Sequence, residues 1–184
     1  DDNASGTSVL LEVARQLSDR EKKLPRRIVF VAFTGEERGL LGSAYYVRHP
    51  LVPIEKTAAM LNMDMVGRLR DNRLQVLGAE TAKEWDEIVK MACDATRVQC
   101  APSGDGYGPS DQMNFFAAGS PVLHFFSGTH TDYHKPSDTA DKINAGGAAQ
   151  IAALVADLAR TLSGGAKLTY QALPEPAPRG DARS

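Results

Sequence analysis

The chain is short of several things, and each shortage removes a class of protein. Its 184 residues hold only two cysteines, Cys93 and Cys100, which excludes a disulfide scaffold and a four-cysteine zinc module. Those two can pair with each other or lie as buried thiols. Neither sign of charge dominates: 21 Lys and Arg stand against 23 Asp and Glu. The basic excess that nucleic acid or an anionic membrane surface demands is missing, so neither is expected as a partner. No apolar run approaches the roughly 20 residues of a membrane span, and there is no internal repeat. The opening Asp1-Asp2-Asn3-Ala4 carries neither a basic nor an apolar leader. No targeting segment can be read there, and the chain is expected to be a piece of a longer protein. What is present is 42% apolar residues, enough for one core in one domain.

Periodicity places the elements. Val9, Leu10, Val13, Ala14 and Leu17 fall on one face of a helix expected over 8–19. Ile28-Val29-Phe30-Val31-Ala32-Phe33 runs apolar without alternation, as in a strand covered on both faces. A short helix near 41–48 ends at His49-Pro50. A second buried strand is expected over 58–64, a third over 74–77 and another over 121–126. Thr81-Ala82-Lys83-Glu84 reads as a capping box ahead of a helix with Trp85, Ile88, Val89 and Ala92 as its core stripe. Residues 101–110, rich in Gly, Pro and Ser, read as a loop, and 113–118 as a helix. The last helix, 147–162, turns Ile151, Leu154, Val155, Leu158 and Leu162 inward. Strands alternating with helices predict an α/β fold, a three-layer αβα sandwich with a mostly parallel central sheet. The catalytic domain is expected over 1–165, and 166–184 reads as a proline-rich linker or disordered tail.

The acidic residues cluster where strands end, the edge of an open α/β sheet at which ligands bind. Glu36-Glu37 follows the 28–33 segment and Asp64 closes 58–64. Asp1-Asp2 precedes the first helix, and His130 to His134 follow the strand at 121–126. Each piece alone has a bland explanation: a solvated turn, a helix cap. Asp64 is the sharpest clue, because it ends an apolar stretch and an unpaired buried carboxylate is costly. Carboxylates gathered at one sheet edge cannot all stay ionised without a cation. Oxygen and imidazole donors without thiolate suit zinc or another borderline divalent metal.

Four segments then carry a resemblance. Asp1-Asp2-Asn3-Ala4-Ser5-Gly6-Thr7, the run from Phe33 to Ser43 around Thr34-Gly35-Glu36-Glu37, Asn62-Met63-Asp64-Met65-Val66-Gly67, and Asp132-Tyr133-His134-Lys135-Pro136-Ser137-Asp138-Thr139 are similar, in order, to the zinc aminopeptidase family. Its members include bacterial leucyl aminopeptidases, aminopeptidase Y and glutamate carboxypeptidase II. The resemblance implies a phosphorylase/hydrolase-like zinc exopeptidase fold and hydrolysis of N-terminal residues from peptides. It implies Asp2 as the carboxylate bridging two zinc ions, Glu37 and His134 completing one site, and Asp64 ligating the other. Glu36 would be the general base that takes the proton of the metal-activated water. Tyr133, or else Tyr107, would supply the oxyanion donor. A cis peptide between Asp2 and Asn3 is implied too. Asp111 and Asp138 would act from the outer shell that orients metal ligands, Asp138 by orienting His134. Secretion or a periplasmic location follows from the resemblance alone.

The departures matter as much. The family's second zinc site also uses a histidine upstream of the Asp-Asp element, where this chain begins; that histidine and the first strands of the sheet are expected to be missing. Two zinc ions are expected in the full-length parent, and one, or a weak second, in this chain. His49 reads as surface, His124 as a satisfied core residue, and His130 as the only stand-in. Gln112 stands where many members carry a histidine. A chain missing a sheet edge is expected to show low activity and to associate with itself through the exposed edge. Two rivals share the fold: a glutaminyl cyclase holding a single zinc, and a metal-free receptor or scaffold domain.

Overall fold

The computed structural model describes residues 1–18, 24–165 and 168–175. Helix α1 spans Ala4–Leu17 and is capped by Asn3, whose side chain accepts a hydrogen bond from Gly6 N–H at 3.0 Å. Its start lies earlier than periodicity predicts, because the cap residue rather than the first apolar residue fixes it. Gly6 lies against β1, where an added Cβ would sit 2.3 Å from the Met63 carbonyl oxygen. Only glycine lets the helix approach that closely. Helix α2 covers Leu41–Arg48, α3 Trp85–Thr96, α4 Gln112–Ala117 and α5 Ala145–Ser163.

Four strands, β1 (Met60–Met63), β2 (Arg73–Leu77), β3 (Gln99–Ser103) and β4 (Val122–Phe126), form one sheet in the order β1-β4-β2-β3. β1 with β4 and β2 with β3 pair parallel, while β2 with β4 is antiparallel. One face packs on α1, α3 and α5 through Val13, Leu123, Phe125, Trp85 and Leu154. The other face packs through Val122 on Phe115 and Phe116 of α4, with Phe33 and Tyr46 beside them. Three layers result, as expected for this fold class.

Several expectations need correction. Residues 28–33 form no strand: Val29 and Phe30 are about two-fifths exposed, and the segment lines an apolar groove of about 580 Å³ facing β1. Residues 101–103, read as loop, belong to β3, a mostly exposed strand at the sheet's edge where Pro102 is tolerated. Thr81 caps no helix. Its hydroxyl is buried, donating to the carbonyls of Gly78 and Val122 and accepting from Val122 N–H and the Trp85 indole. Glu84 instead binds Thr169. The packed chain also runs past Gly164-Gly165: Tyr170 pairs with Ala82 and its hydroxyl donates to the Phe116 carbonyl at 2.9 Å. Residues 168–173 are therefore part of the domain, while 166–167 and 176–184 of the expected tail lie outside the described residues. Cys93 and Cys100 are joined in a disulfide between the end of α3 and β3.

Candidate metal centre

Four chain segments meet at one end of the sheet. Asp2 stands just before α1, its peptide bond to Asn3 cis. Glu36 and Glu37 lie on a single 3-10 turn, Glu36–Arg38, entered through Gly35 at φ +67°. That left-handed entry favours glycine. The turn is helical rather than extended, and successive 3-10 side chains diverge by about 120°, so adjacent glutamates can still serve separate roles. Asp64 follows β1, its N–H donating to the Phe125 carbonyl at 3.3 Å. His134 lies in the loop after β4, at φ +56°.

The ligand atoms of Asp2, Glu37 and His134 all fall within 4.8 Å of one another. One nitrogen, His134 Nε2, lies 2.7 Å from Glu37 Oε1 and 3.1 Å from Asp2 Oδ2. Asp64 stands outside this trio. Its Oδ2 accepts from the Ser110 hydroxyl at 2.8 Å, and its Oδ1 is buried with no hydrogen-bond partner among the described residues. Ser110 also accepts from Asn62, which donates in addition to the buried Gln112.

The electrostatics are those of crowded carboxylates. Burial, then the charges of Asp64 and Glu37, raises Asp2 above the usual carboxylate range. Burial raises Asp64, although the Ser110 hydrogen bond opposes it. Glu36 is pushed up to about 7 by burial and by Asp64, Glu37, Asp111 and Asp2. Tyr133 is raised by burial and by the charges of Glu37, Asp2, Glu36 and Asp64. An orphaned carboxylate oxygen, a trio of convergent donors and raised acids together fit a divalent cation.

Other sequence-predicted residues divide. Tyr133 stacks on His134 with ring centroids 3.8 Å apart, whereas Tyr107 packs edge-on against Phe116. Asp111 reaches Ser43 rather than a ligand residue. Among the described residues Asp138 makes no hydrogen bond with His134; it accepts from the main-chain nitrogens of Asp1 and Asp2 at 2.7 and 3.1 Å and pairs with Arg68. His130 lies outside the trio: its Nε2 faces Asp1 Oδ2 at 3.1 Å, and its Nδ1 is buried with no partner among the described residues. His124 is buried as expected but not satisfied: neither ring nitrogen has a partner among the described residues. Its burial holds it neutral, lowered to about 4. Sequence reasoning missed Ser110, Arg68 and Asp132; Ser110 meets Asp64 across 46 residues and Arg68 meets Asp138 across 70, beyond any local pattern.

Comparison with known proteins identifies the family. Residues 1–159 match the model for peptidase family M28. The chain belongs to that family. Among curated M28-like relatives, it is 33% identical over 156 residues to the aminopeptidase YwaD of Bacillus subtilis, covering 78% of this chain and 33% of that protein. Among solved structures it resembles a zinc aminopeptidase from Bacillus subtilis, with 31% identity and a TM-score of 0.76, covering 87% of this chain and 41% of that one. A glutaminyl cyclase from Porphyromonas gingivalis shares the fold, at 20% identity and a TM-score of 0.68, over 88% of this chain and 62% of that one. The M28 chain described here thus spans about a third of the length of its curated relative.

Proposed function

We propose that this chain carries the metal-holding part of a zinc aminopeptidase that removes N-terminal residues from peptides. The observation that carries the reading is the convergence of Asp2, Glu37 and His134 donor atoms within 4.8 Å, with Glu36 next in sequence to one of them. Asp2, Glu37 and His134 would hold one zinc ion. Asp2 would bridge to a second in the full-length protein, with Asp64, whose Oδ1 has no other partner, as a ligand there. Bound there, zinc polarises the scissile carbonyl and makes a water molecule more acidic. Glu36, adjacent to a ligand in sequence, would accept the water's proton and pass it to the leaving amine. Tyr133 stands beside His134 in the field of four carboxylates and offers its hydroxyl to the developing oxyanion; Tyr107, packed on Phe116, is the weaker candidate.

The disulfide suits an oxidising compartment and supports a secreted or periplasmic location. No helix among the described residues is long and apolar enough to cross a membrane. The apolar groove between 28–33 and β1 supports self-association of this chain. The metal-free scaffold reading loses ground because every carboxylate of the resemblance is present.

Elemental analysis after dialysis against trace zinc tests the reading, together with turnover of an N-terminal Leu peptide against an N-terminal Gln peptide. About one zinc per chain is expected. Glu36→Gln should retain the metal and lower whatever Leu-peptide turnover exists by about 10²-fold or more. Cyclisation of the Gln peptide instead would favour the glutaminyl cyclase. A chain that binds no zinc would sink the metalloenzyme reading.

A further inference from the structure

Arg68 is not a ligand, yet it joins the two segments that carry Asp2 and His134. Its Nη2 lies 2.5 Å from Asp138 Oδ1, and its Nη1 lies 3.5 Å from Asp132 Oδ2. Those two aspartates flank His134 in the loop after β4, two residues before it and four after. Asp138 uses its other oxygen to accept from the main-chain nitrogens of Asp1 and Asp2. One guanidinium therefore grips the His134 loop at both ends and, through a single carboxylate, the backbone of Asp2.

The arm carrying Arg68 is itself fixed. Its N–H donates to the Ser127 hydroxyl at 3.1 Å, and Ser127 donates to the Met65 carbonyl at 2.6 Å. The guanidinium is only 12% exposed, Asp138 9% and Asp132 17%, so solvent screens this network far less than an ordinary surface pair. Its positive charge is opposed directly by the carboxylates of Asp138 and Asp132.

The loop needs such a hold. His134 sits at φ +56°, a conformation that costs a non-glycine residue energy and persists only when its surroundings impose it. Lys142 helps at one end, 2.6 Å from Asp132 Oδ1 and 2.7 Å from the Ser137 carbonyl, but it makes no contact with Asp138. Among the described residues, Arg68 alone pairs with both aspartates. Its planar fork can address two carboxylates at once, which an ammonium cannot do equally well.

We propose that Arg68 is a positioning residue that presets Asp2 and His134 for a divalent cation, acting through Asp138 and Asp132. The inference rests on the metal-site reading above and concerns the geometry of the ligands, not the chemistry of hydrolysis. A purely structural salt bridge would lower the stability of the chain without changing the site once the chain is folded and loaded.

The test is zinc affinity of the full chain, measured near neutral pH by competition with a chelating dye, together with the visible spectrum of the Co²⁺-saturated protein. Arg68→Met and Asp138→Asn should each weaken zinc about 10- to 100-fold. The double variant should be no weaker than the worse single, because the two act as one chain. Arg68→Lys should recover part of the affinity. The Co²⁺ spectrum of Arg68→Met should shift even at saturation. A folded Arg68→Met that binds zinc within about twofold of the parent, with an unchanged Co²⁺ spectrum, overturns the proposal. If Arg68→Met does not fold, Arg68→Lys and Asp138→Asn are judged by the same criterion. A parent chain that binds no zinc overturns the metal-site reading and this inference together; a parent that binds, with unaltered variants, overturns this one alone.

Discussion

Two segments look alike in sequence and end up unlike in the molecule. Ile28 to Phe33 and Val122 to Phe126 are both apolar without alternation, the pattern of a strand covered on both faces. The second becomes β4, held between β1 and β2 with Val122, Leu123 and Phe125 fully buried. The first makes no ladder among the described residues and leaves Val29 41% and Phe30 40% exposed. The pattern thus reports the surroundings a segment is suited to, while the strand itself needs neighbours to pair with. Where flanking strands exist on both sides, the expectation holds; where an apolar groove stands on one side, it does not.

The largest expected effect breaks the pair apart. Phe125→Ala removes a fully buried ring from the middle of the sheet and should cost about 3–5 kcal/mol. Phe30→Ala should cost less than about 1 kcal/mol, because much of that ring is still in water. Urea unfolding of both variants measures the difference. Equal costs would mean that 28–33 is as tightly packed as β4.

The same contrast explains what could be read beforehand. The bounds of α2 match because His49-Pro50 ends it locally, and β1, β2 and β4 are each bounded by turns the sequence displays. Asp64 and His134 could be placed at one sheet edge because strand ends determine it, whereas Glu36 and Glu37 reach that edge on a 3-10 turn after a segment that forms no strand. Thr81 misled, since a hydroxyl three residues before a glutamate has the form of a cap yet here fills a buried junction with Val122 and Trp85. β3 was hidden because Pro102 and Ser103 have turn composition on an edge strand. Asp138 could be singled out from its place near His134, but not its contact with Asp2 across 136 residues, a closure that only the folded sheet brings about.

A second prediction sharpens the buried side of the comparison. His124 sits in β4, its folded value about 4 against an ordinary 6.5. Between those values the unfolded chain binds a proton that the folded chain refuses, so stability falls as pH drops. The loss begins near pH 6.5, is complete near pH 4, and amounts to about 3 kcal/mol. The raised carboxylates Asp2, Glu36, Asp64 and Asp111 act oppositely in the metal-free chain, gaining stability as acid protonates them. His124→Leu keeps those carboxylates, so subtracting its unfolding curve from the parent's isolates the histidine. A difference that stays flat across this range would mean that His124 meets solvent or a partner.

The smallest effect concerns the open side. In β1 the N–H groups of Met60 and Asp64 point into β4, so those of Leu61 and Met63 alternate towards the groove. Edge amides with no partner among the described residues, beside exposed apolar side chains, favour pairing with another chain. Covering Val29 and Phe30 in such a contact is worth roughly 1 kcal/mol for each side chain. Val29→Lys with Phe30→Lys should therefore weaken self-association about tenfold or more, as read by sedimentation across a concentration series. Met91→Lys is the control, since Met91 is 64% exposed on α3 and does not line the groove. Equal loss from both changes would point to added charge as the cause. A parent chain that stays monomeric throughout would mean that the 28–33 segment and the β1 edge shield each other well enough without a second copy.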